Sequence, residues 1–346
     1  MISSFSAGSG AGPSPGVGSD PKSPSAAPVP APTAGGGRPT PSSPPGGAGG
    51  AAASPPAGRP PRPAGPPGVG MQAIRQPVYG LGMVVSIVVA LVIFVLAIFV
   101  IGGATERGLP LAQTTNALFW IVGIGAIVGA GFGAQYAERT AAEAAAAVGR
   151  PRSEIAMATA WTVPVVATFA AVMLVATYHN GIMVVAGPLI AFVGNAGALL
   201  SRDLLDDSAD STQRTAITLH TLIIHAVAFL ALSAIYLNKM PTWAASPLVG
   251  AVGGLLILET LERGAATRSQ RVLYALLGGG ALAAATVALN WWQTYNWTGG
   301  AVLLVCFYLG AGVLLARTQR SVLRARDLLE FGLVSLIAFV VLAVTA

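Results

Sequence analysis

Residues 79–101 read YGLGMVVSIVVALVIFVLAIFVI and contain no charged side chain. A helix needs roughly 20 apolar residues to cross about 30 Å of hydrocarbon, so this stretch is long enough to span a bilayer once. The whole chain has the same character, because 54% of its 346 residues are hydrophobic and only 9% are charged. Too few polar residues are present to give each surface helix of a soluble protein its polar face. The sequence therefore predicts an integral membrane protein.

Eight further apolar runs follow the first, and each is about long enough for one crossing. The nine candidate spans run near residues 79–101, 115–135, 156–177, 182–200, 216–237, 245–261, 272–290, 299–316 and 329–346. The connections between them are short, which leaves no room for a globular domain outside the bilayer. The predicted fold class is all-α, a polytopic transmembrane helix bundle of about nine spans, of which the sixth and ninth are the shortest.

The distribution of basic residues predicts the orientation of these spans. Loops on the cytoplasmic side of a membrane carry an excess of lysine and arginine. With the N-terminus inside and the C-terminus outside, all of the 19 basic residues except Arg107 and Lys239 fall on the cytoplasmic side. The preference for arginine over lysine, with much alanine, glycine and proline, is typical of a GC-rich bacterial genome. We therefore predict residence in a bacterial plasma membrane.

Residues 1–70 differ from the rest of the chain, because they hold 18 of its 25 prolines and few large apolar residues. Such a segment buries too little apolar surface to offset its ordering entropy, so we expect a disordered cytoplasmic tail. The tail is either a tether or proline-rich docking segment or an inert extension, and Met71 is an alternative start. The transmembrane helical domain is predicted to occupy residues 71–346.

An acidic segment lies between the fourth and fifth spans, where residues 201–214 read SRDLLDDSADSTQR. Its four aspartates are Asp203, Asp206, Asp207 and Asp210. On one continuous helix their carboxylates share a face, and their mutual repulsion would favour a bound Mg²⁺ ion. Membrane transferases of lipid-linked substrates use aspartate clusters in this way, and the span count resembles the intramembrane prenyltransferases. The aspartate spacing of those enzymes is missing from the other cytoplasmic loops, so the alternative is a solvated loop that balances Arg202 and Arg214.

Two histidines on the fifth span, His220 and His225, are the candidate cofactor ligands. They are five residues apart, about 140° around a helix axis, so they do not form one face with two ligands. In one interpretation a single histidine binds a haem or a chlorophyll-type pigment. In the other, it is a neutral histidine that is hydrogen-bonded to a neighbouring helix. No other cofactor is indicated, apart from Mg²⁺ in the transferase hypothesis.

Charged residues are absent from the centres of the predicted spans. Glu259 is the deepest, near the cytoplasmic end of the sixth span, and Arg263 stands four residues later in position to pair with it. Ionisable groups deep in a bilayer usually mark function, so their absence argues against a proton-driven pump. It argues less against a facilitator of neutral solutes.

Glycines at regular spacing predict where helices pack closely, since small residues let two backbones approach in lipid. The predicted contact positions are Gly125, Gly129 and Gly133 on the second span, Gly250 and Gly254 on the sixth, and Gly278–Gly280 on the seventh. Asn195 in the fourth span is expected to hydrogen-bond to a neighbouring helix.

The last third of the chain has the most distinctive sequence, with LNWWQT at 289–294, GGAVLLVCFYLG at 299–310 and RARDLLEFG at 324–332. From about residue 200 onward it resembles a family of bacterial polytopic membrane proteins that is catalogued only as a domain of unknown function. The resemblance implies membrane residence and a helical bundle, and brings no activity and no site residues.

The predicted function is that of a scaffold, assembly or accessory component, with the lipid bilayer and other membrane proteins as partners. No catalytic Ser/His/Asp grouping, phosphate-binding glycine loop or zinc motif is present, which disfavours an enzyme. The net charge of +6 is spread over short loops, so nucleic acid is not an expected partner. The alternatives are a transporter or facilitator of a neutral solute and a Mg²⁺-dependent transferase that uses the acidic segment.

Overall fold

The computed structural model describes residues 79–100, 116–147, 158–178, 180–207, 210–262, 264–292, 297–319 and 325–345. Within these ranges the chain forms nine α-helices and no strand. The helices are α1 Tyr79–Val100, α2 Ala117–Ala147, α3 Thr162–Thr177, α4 Gly181–Asp207, α5 Asp210–Leu237, α6 Thr242–Leu261, α7 Arg268–Trp291, α8 Thr298–Gln319 and α9 Ala325–Thr345. The all-α prediction is confirmed, and the predicted N-terminal tail, residues 1–70, lies outside the described residues.

Each predicted span coincides with one helix, but seven helices of the described chain, not nine, are long and apolar enough to cross a membrane. The two that fall short are α3 and α9, whose apolar parts are Thr162–Thr177 and Leu328–Val344. The sixth span, predicted to be among the shortest, is the 20-residue α6 and meets the criterion. The third does not, because α3 begins only at Thr162, after a turn at residues 160–161.

The short helix α3 occupies the centre of the bundle. Thirteen of its 16 residues are buried, and it packs against α1, α2, α4, α5 and α6. By contrast, α9 packs mainly against α8 and exposes much of its apolar surface, including Leu329 and Val344. The core therefore forms around α3.

The polarity of the bundle is the reverse of that in a soluble protein. Large apolar side chains face outward along α1, as with Phe99, which is 83% exposed. Polar side chains such as Ser86, Thr168, Asn195 and Ser233 are instead buried between helices. Exposed apolar area of this extent marks a surface that contacts lipid or protein. The outer surface of the bundle is therefore suited to the hydrocarbon interior of a membrane.

Helices α6 and α7 touch through their backbones, as the glycine spacing predicted for Gly250, Gly254 and Gly279, whereas Gly280, also predicted as a contact, is exposed. A Cβ atom on Gly279 would lie 2.5 Å from the carbonyl oxygen of Gly250 and 3.1 Å from the Cα of Gly254. On α2 the prediction was right only for Gly133, which packs on Val85. Gly125 and Gly129 have no atom within 4 Å of a Cβ position, because α2 turns its other face, with Gly123 and Gly131, toward α3.

Candidate functional site

Charged side chains are buried together at one end of the bundle, where the C-terminal part of α4, the first half of α5 and the end of α6 meet. Arg202 on α4 is 6% exposed, His220 on α5 is 2% exposed and Glu259 on α6 is 1% exposed. Glu262, the residue that follows α6, is 13% exposed at its side chain. We call these four residues the ionic cluster.

Arg202 is the centre of the ionic cluster, because its guanidinium group holds both carboxylates. Its Nε donates to Glu259 Oε1 at 3.0 Å, and its Nη2 lies 2.6 Å and 2.5 Å from the two oxygens of the same carboxylate. The same Nη2 lies 2.8 Å from Glu262 Oε2 and 2.9 Å from Thr159 Oγ1. Forked contacts of this kind fix orientation as well as charge, so α4 is locked to α6.

Helices α3 and α5 complete the contacts of Glu259. Thr162 Oγ1 donates to Glu259 Oε2 at 3.0 Å, and His220 Nε2 lies 3.3 Å from Glu259 Oε1. The other ring nitrogen of His220, Nδ1, lies 2.7 Å from Ser201 Oγ on α4. The carboxylate of Glu259 therefore has contacts from three other helices.

Glu262 is less completely paired than Glu259. Thr159 Oγ1 donates to its Oε2 at 2.6 Å, but its buried Oε1 has no hydrogen-bond partner among the described residues. Arg271 on α7 is also buried, with Nε donating to Ala266 O and Nη2 donating to Gly264 O, and its Nη1 has no partner in the described part of the chain. Burial raises the pKa of Glu262 to about 7, against the opposing attraction of Arg202 and Arg271.

The raised pKa of Glu262 predicts a pH-dependent stability. The folded chain holds this proton more tightly than the unfolded chain, whose carboxyl has a pKa near 4.5, so its stabilising contribution is complete below about pH 4.5 and is lost as the pH rises through about 7. We expect the melting temperature in mild detergent to fall from about pH 5 to about pH 8, and Glu262→Gln to reduce that slope.

The matched control for this prediction is Glu143→Gln, which removes an exposed carboxylate from α2. It should keep the slope of the unmodified protein. An unchanged slope in the Glu262→Gln variant would contradict the assignment of the proton to Glu262.

Two more carboxylates lie beside the ionic cluster. Glu138 on α2 is 3% exposed and Asp203 on α4 is 8% exposed, and both line a cavity of about 20 Å³ between α1, α2 and α4. That volume suits about one water molecule. Both residues also make further interactions.

The four predicted metal-ligating aspartates do not share one helix. Helix α4 ends at Asp207 and α5 begins at Asp210, so a continuous face through Asp203, Asp206, Asp207 and Asp210 is not observed. Asp203 is turned into the bundle, and the side chains of the other three are outside the described set. No group of three potential metal ligands occurs among the described side chains. The Mg²⁺ hypothesis stays a prediction for the four aspartates.

The two histidines have different surroundings. Both ring nitrogens of His220 contact protein groups, as described above. His225 is half-buried, its Nδ1 lies 2.8 Å from Thr221 O, and its ring packs edge-on against Phe307 and Tyr308. A cofactor would have to displace Ser201 or Glu259 to ligate His220. Cofactor binding stays a prediction for both histidines.

The order Ser201–His220–Glu259 has the residue types of a nucleophile, a base and an acid. Ser201 is fully buried, however, and its Oγ donates to Ala198 O at 3.0 Å. It does not line the neighbouring cavity, which holds about one water molecule. In the described arrangement Ser201, His220 and Glu259 join α4, α5 and α6.

Sequence reasoning missed most of this site. The fourth span was predicted to end at residue 200, which placed Arg202 in a solvated loop, whereas α4 continues to Asp207 and keeps Arg202 inside the bundle. Arg263, the predicted partner of Glu259, lies outside the described residues, and Arg202 is the partner observed. Two features of the sequence could have indicated this site. Ser201 and Arg202 form a polar pair directly after an apolar run, and His220 and Glu259 lie near the same predicted membrane face.

The reversed polarity, the seven long apolar helices and the buried ionic cluster define this chain as an α-helical bundle with the features of a membrane protein. It belongs to the family described as protein of unknown function (DUF5656), whose model matches residues 100–345. The predicted resemblance to a family of unknown function is thus confirmed, over residues 100–345 and not only from about residue 200 onward. No curated protein and no solved structure matches the chain.

Proposed function

We propose that this chain is a multi-pass integral protein of a bacterial plasma membrane that acts as a non-enzymatic scaffold, assembly or accessory component. The proposal rests on the contacts of the buried charged and titratable side chains. Arg202, Glu259 and His220 contact one another and groups from α3 and α4. The cavity beside them is water-sized. These features support a rigid bundle that presents its outer surface to lipid and to other membrane proteins.

The proposed orientation has the N-terminus in the cytoplasm and the C-terminus outside. It rests on the basic loops and is supported by two tryptophans at the opposite end of α6 and α7 from the ionic cluster. Trp243 is 81% exposed near the start of α6, and Trp291 is 87% exposed at the end of α7. Exposed indole rings favour the headgroup zone of a bilayer. The ionic cluster then lies toward the cytoplasmic face.

This orientation predicts a labelling pattern on intact cells. In a Cys306→Ser background, which removes the chain's single cysteine, a membrane-impermeant maleimide should label Trp243→Cys without permeabilisation. Ser269→Cys, exposed at the start of α7, should react only after the membrane is opened. The reverse pattern would refute the orientation, and recovery of the chain from the soluble fraction without detergent would refute membrane residence.

The scaffold role is tested by purification of the full chain in mild detergent, followed by identification of bound proteins and lipids by mass spectrometry. A defined set of membrane proteins that is retained through two chromatographic steps is the expected result. A monodisperse monomer with no partner would contradict the scaffold role. Transport of a neutral solute and Mg²⁺-dependent transfer remain predictions, and the same preparation detects a bound solute or lipid-linked substrate.

A further inference from the structure

The described ionic cluster contains more negative than positive fixed charge. One guanidinium, that of Arg202, is shared by the two carboxylates of Glu259 and Glu262. An unpaired charge in a buried site raises the free energy of the folded state. A titratable group in such a site therefore binds a proton when this neutralises the excess charge at a lower free-energy cost. The cluster therefore has a place for one additional positive charge, and the imidazole of His220 lies 3.3 Å from Glu259 Oε1.

The surroundings of His220 suit both its neutral and its protonated form. In the neutral form Nε2–H lies against Glu259, with Nε2 3.3 Å from Oε1, and the hydroxyl of Ser201 donates to Nδ1 across 2.7 Å. In the protonated form Nδ1–H donates to Ser201 Oγ, and the hydroxyl donates instead to Ala198 O, 3.0 Å away. Only the hydroxyl hydrogen has to rotate, so each imidazolium N–H has an acceptor ready.

We propose that Ser201, His220 and Glu259 form a proton-binding site in which His220 takes up the proton and becomes an imidazolium ion paired with Glu259. The proton comes from water and is returned to water, and no other bond changes. The uncharged serine serves as a positioning residue, because its oxygen accepts a hydrogen bond from the protonated ring and donates one to the neutral ring.

The groups around this site act in both directions on the proton. Among the described residues, the charged or titratable ones that face the site from the packed helices are Glu138 on α2, Arg202 and Asp203 on α4, Glu259 and Glu262 at α6, and Arg271 on α7. Helix α3 contributes the uncharged Thr159 and Thr162. The carboxylates favour the imidazolium form, and the guanidinium groups of Arg202 and Arg271 oppose it.

Glu262 is a second group in the ionic cluster that can bind the proton, in place of His220. Its carboxylate shares Arg202 with Glu259, so a proton on Glu262 removes the negative charge that favours the imidazolium, and the two titrations are coupled. Its pKa of about 7, raised by burial, agrees with a group that exchanges protons near neutrality. Since Glu262 is more exposed than His220, it is the member nearer to solvent.

Proton uptake changes how three helices are held together. With a neutral ring, α5 is hydrogen-bonded to α4 through Ser201 and contacts Glu259 on α6, and with a charged ring it is held by an ion pair to Glu259 as well. Hydrogen bonds to charged groups are about twice as strong as neutral ones. A higher proton concentration therefore strengthens the contact among α4, α5 and α6.

The test is the protonation state of His220 in the full chain, read by nitrogen-15 NMR in lipid bilayers. The chain has three histidines, so His179→Asn combined with His225→Asn leaves one imidazole signal. We expect both ring nitrogens to be protonated at about pH 6 and one proton to be lost at a higher pH, as for a histidine beside a carboxylate. A ring that remains neutral from about pH 5 to about pH 9 would overturn the proposal.

Two variants separate proton binding from a purely structural role. Ser201→Ala keeps the helix and removes the hydroxyl from both forms of the ring. Because the hydrogen bond to the charged ring is the stronger one, the proton affinity of His220 should fall by roughly tenfold. Glu262→Gln mimics the protonated carboxyl and should lower it in the same direction. Titration curves that superimpose on the unmodified one in both variants would refute the role of the cluster. If Glu262→Gln does not give monodisperse protein, Ser201→Ala alone decides.

Discussion

Arg202→Ala is expected to lower the free energy of unfolding by about 3–5 kcal/mol, the cost of leaving a buried ion pair without one partner. Two carboxylates, Glu259 and Glu262, lose their shared cation in this variant, and Glu259 is only 1% exposed. Of the described residues, no other arginine or lysine is in salt-bridge contact with these two carboxylates. We therefore expect aggregation in mild detergent or a large fall in melting temperature, as measured by size-exclusion chromatography after heating.

Arg214→Ala is the control for this experiment, since Arg214 is an exposed arginine on α5. Its effect should stay within about 0.5 kcal/mol. The double variant Arg202→Met with Glu259→Gln removes both charges of the forked pair and should be less destabilised than the sum of the single variants. Equal melting temperatures for Arg202→Ala and Arg214→Ala would show that the ionic cluster does not hold the bundle together.

Gly279→Leu should have the second large effect, a loss of about 3 kcal/mol, because overpacking a close contact forces the backbones apart. The first added carbon alone would stand 2.5 Å from the carbonyl oxygen of Gly250. That oxygen belongs to the backbone of α6 and cannot rotate away, so α7 has to shift. The expected readout is a lower melting temperature with an unchanged far-UV spectrum at low temperature.

Gly280→Leu is a matched control one residue further along the same helix. Gly280 is exposed, and no atom lies within 4 Å of its Cβ position. Both substitutions raise helix propensity by about the same amount, so their difference reports packing alone. A Gly280→Leu variant as unstable as Gly279→Leu would contradict the α6–α7 contact.

The sequence was sufficient to predict the helices and some of their contacts, because both follow from local composition. Apolar runs mark each helix, and small residues mark the close approach at Gly250 and Gly279. The same rule failed for Gly125 and Gly129, since every face of α2 is rich in small residues and spacing alone does not choose among them.

The ionic cluster was harder to predict because it depends on where helices end and on how they rotate about their axes. Hydropathy locates the ends of an apolar run, and α4 extends seven residues beyond the predicted boundary at residue 200. That extension moves Arg202 from a presumed loop to the interior. The pairing of Ser201, His220 and Glu259 joins three helices across 19 and 39 positions of sequence, which no local pattern encodes.

The separation of Arg202 and Glu259 along the chain also has a consequence for biosynthesis. The two residues are 57 positions apart. Ribosomes add roughly 5–20 residues per second. In a chain inserted as it is translated, Arg202 therefore emerges several seconds before Glu259. During that interval the long side chain of Arg202 has to extend its guanidinium group to the phosphate groups of the lipids. A membrane poor in anionic headgroups should therefore slow the maturation of this protein.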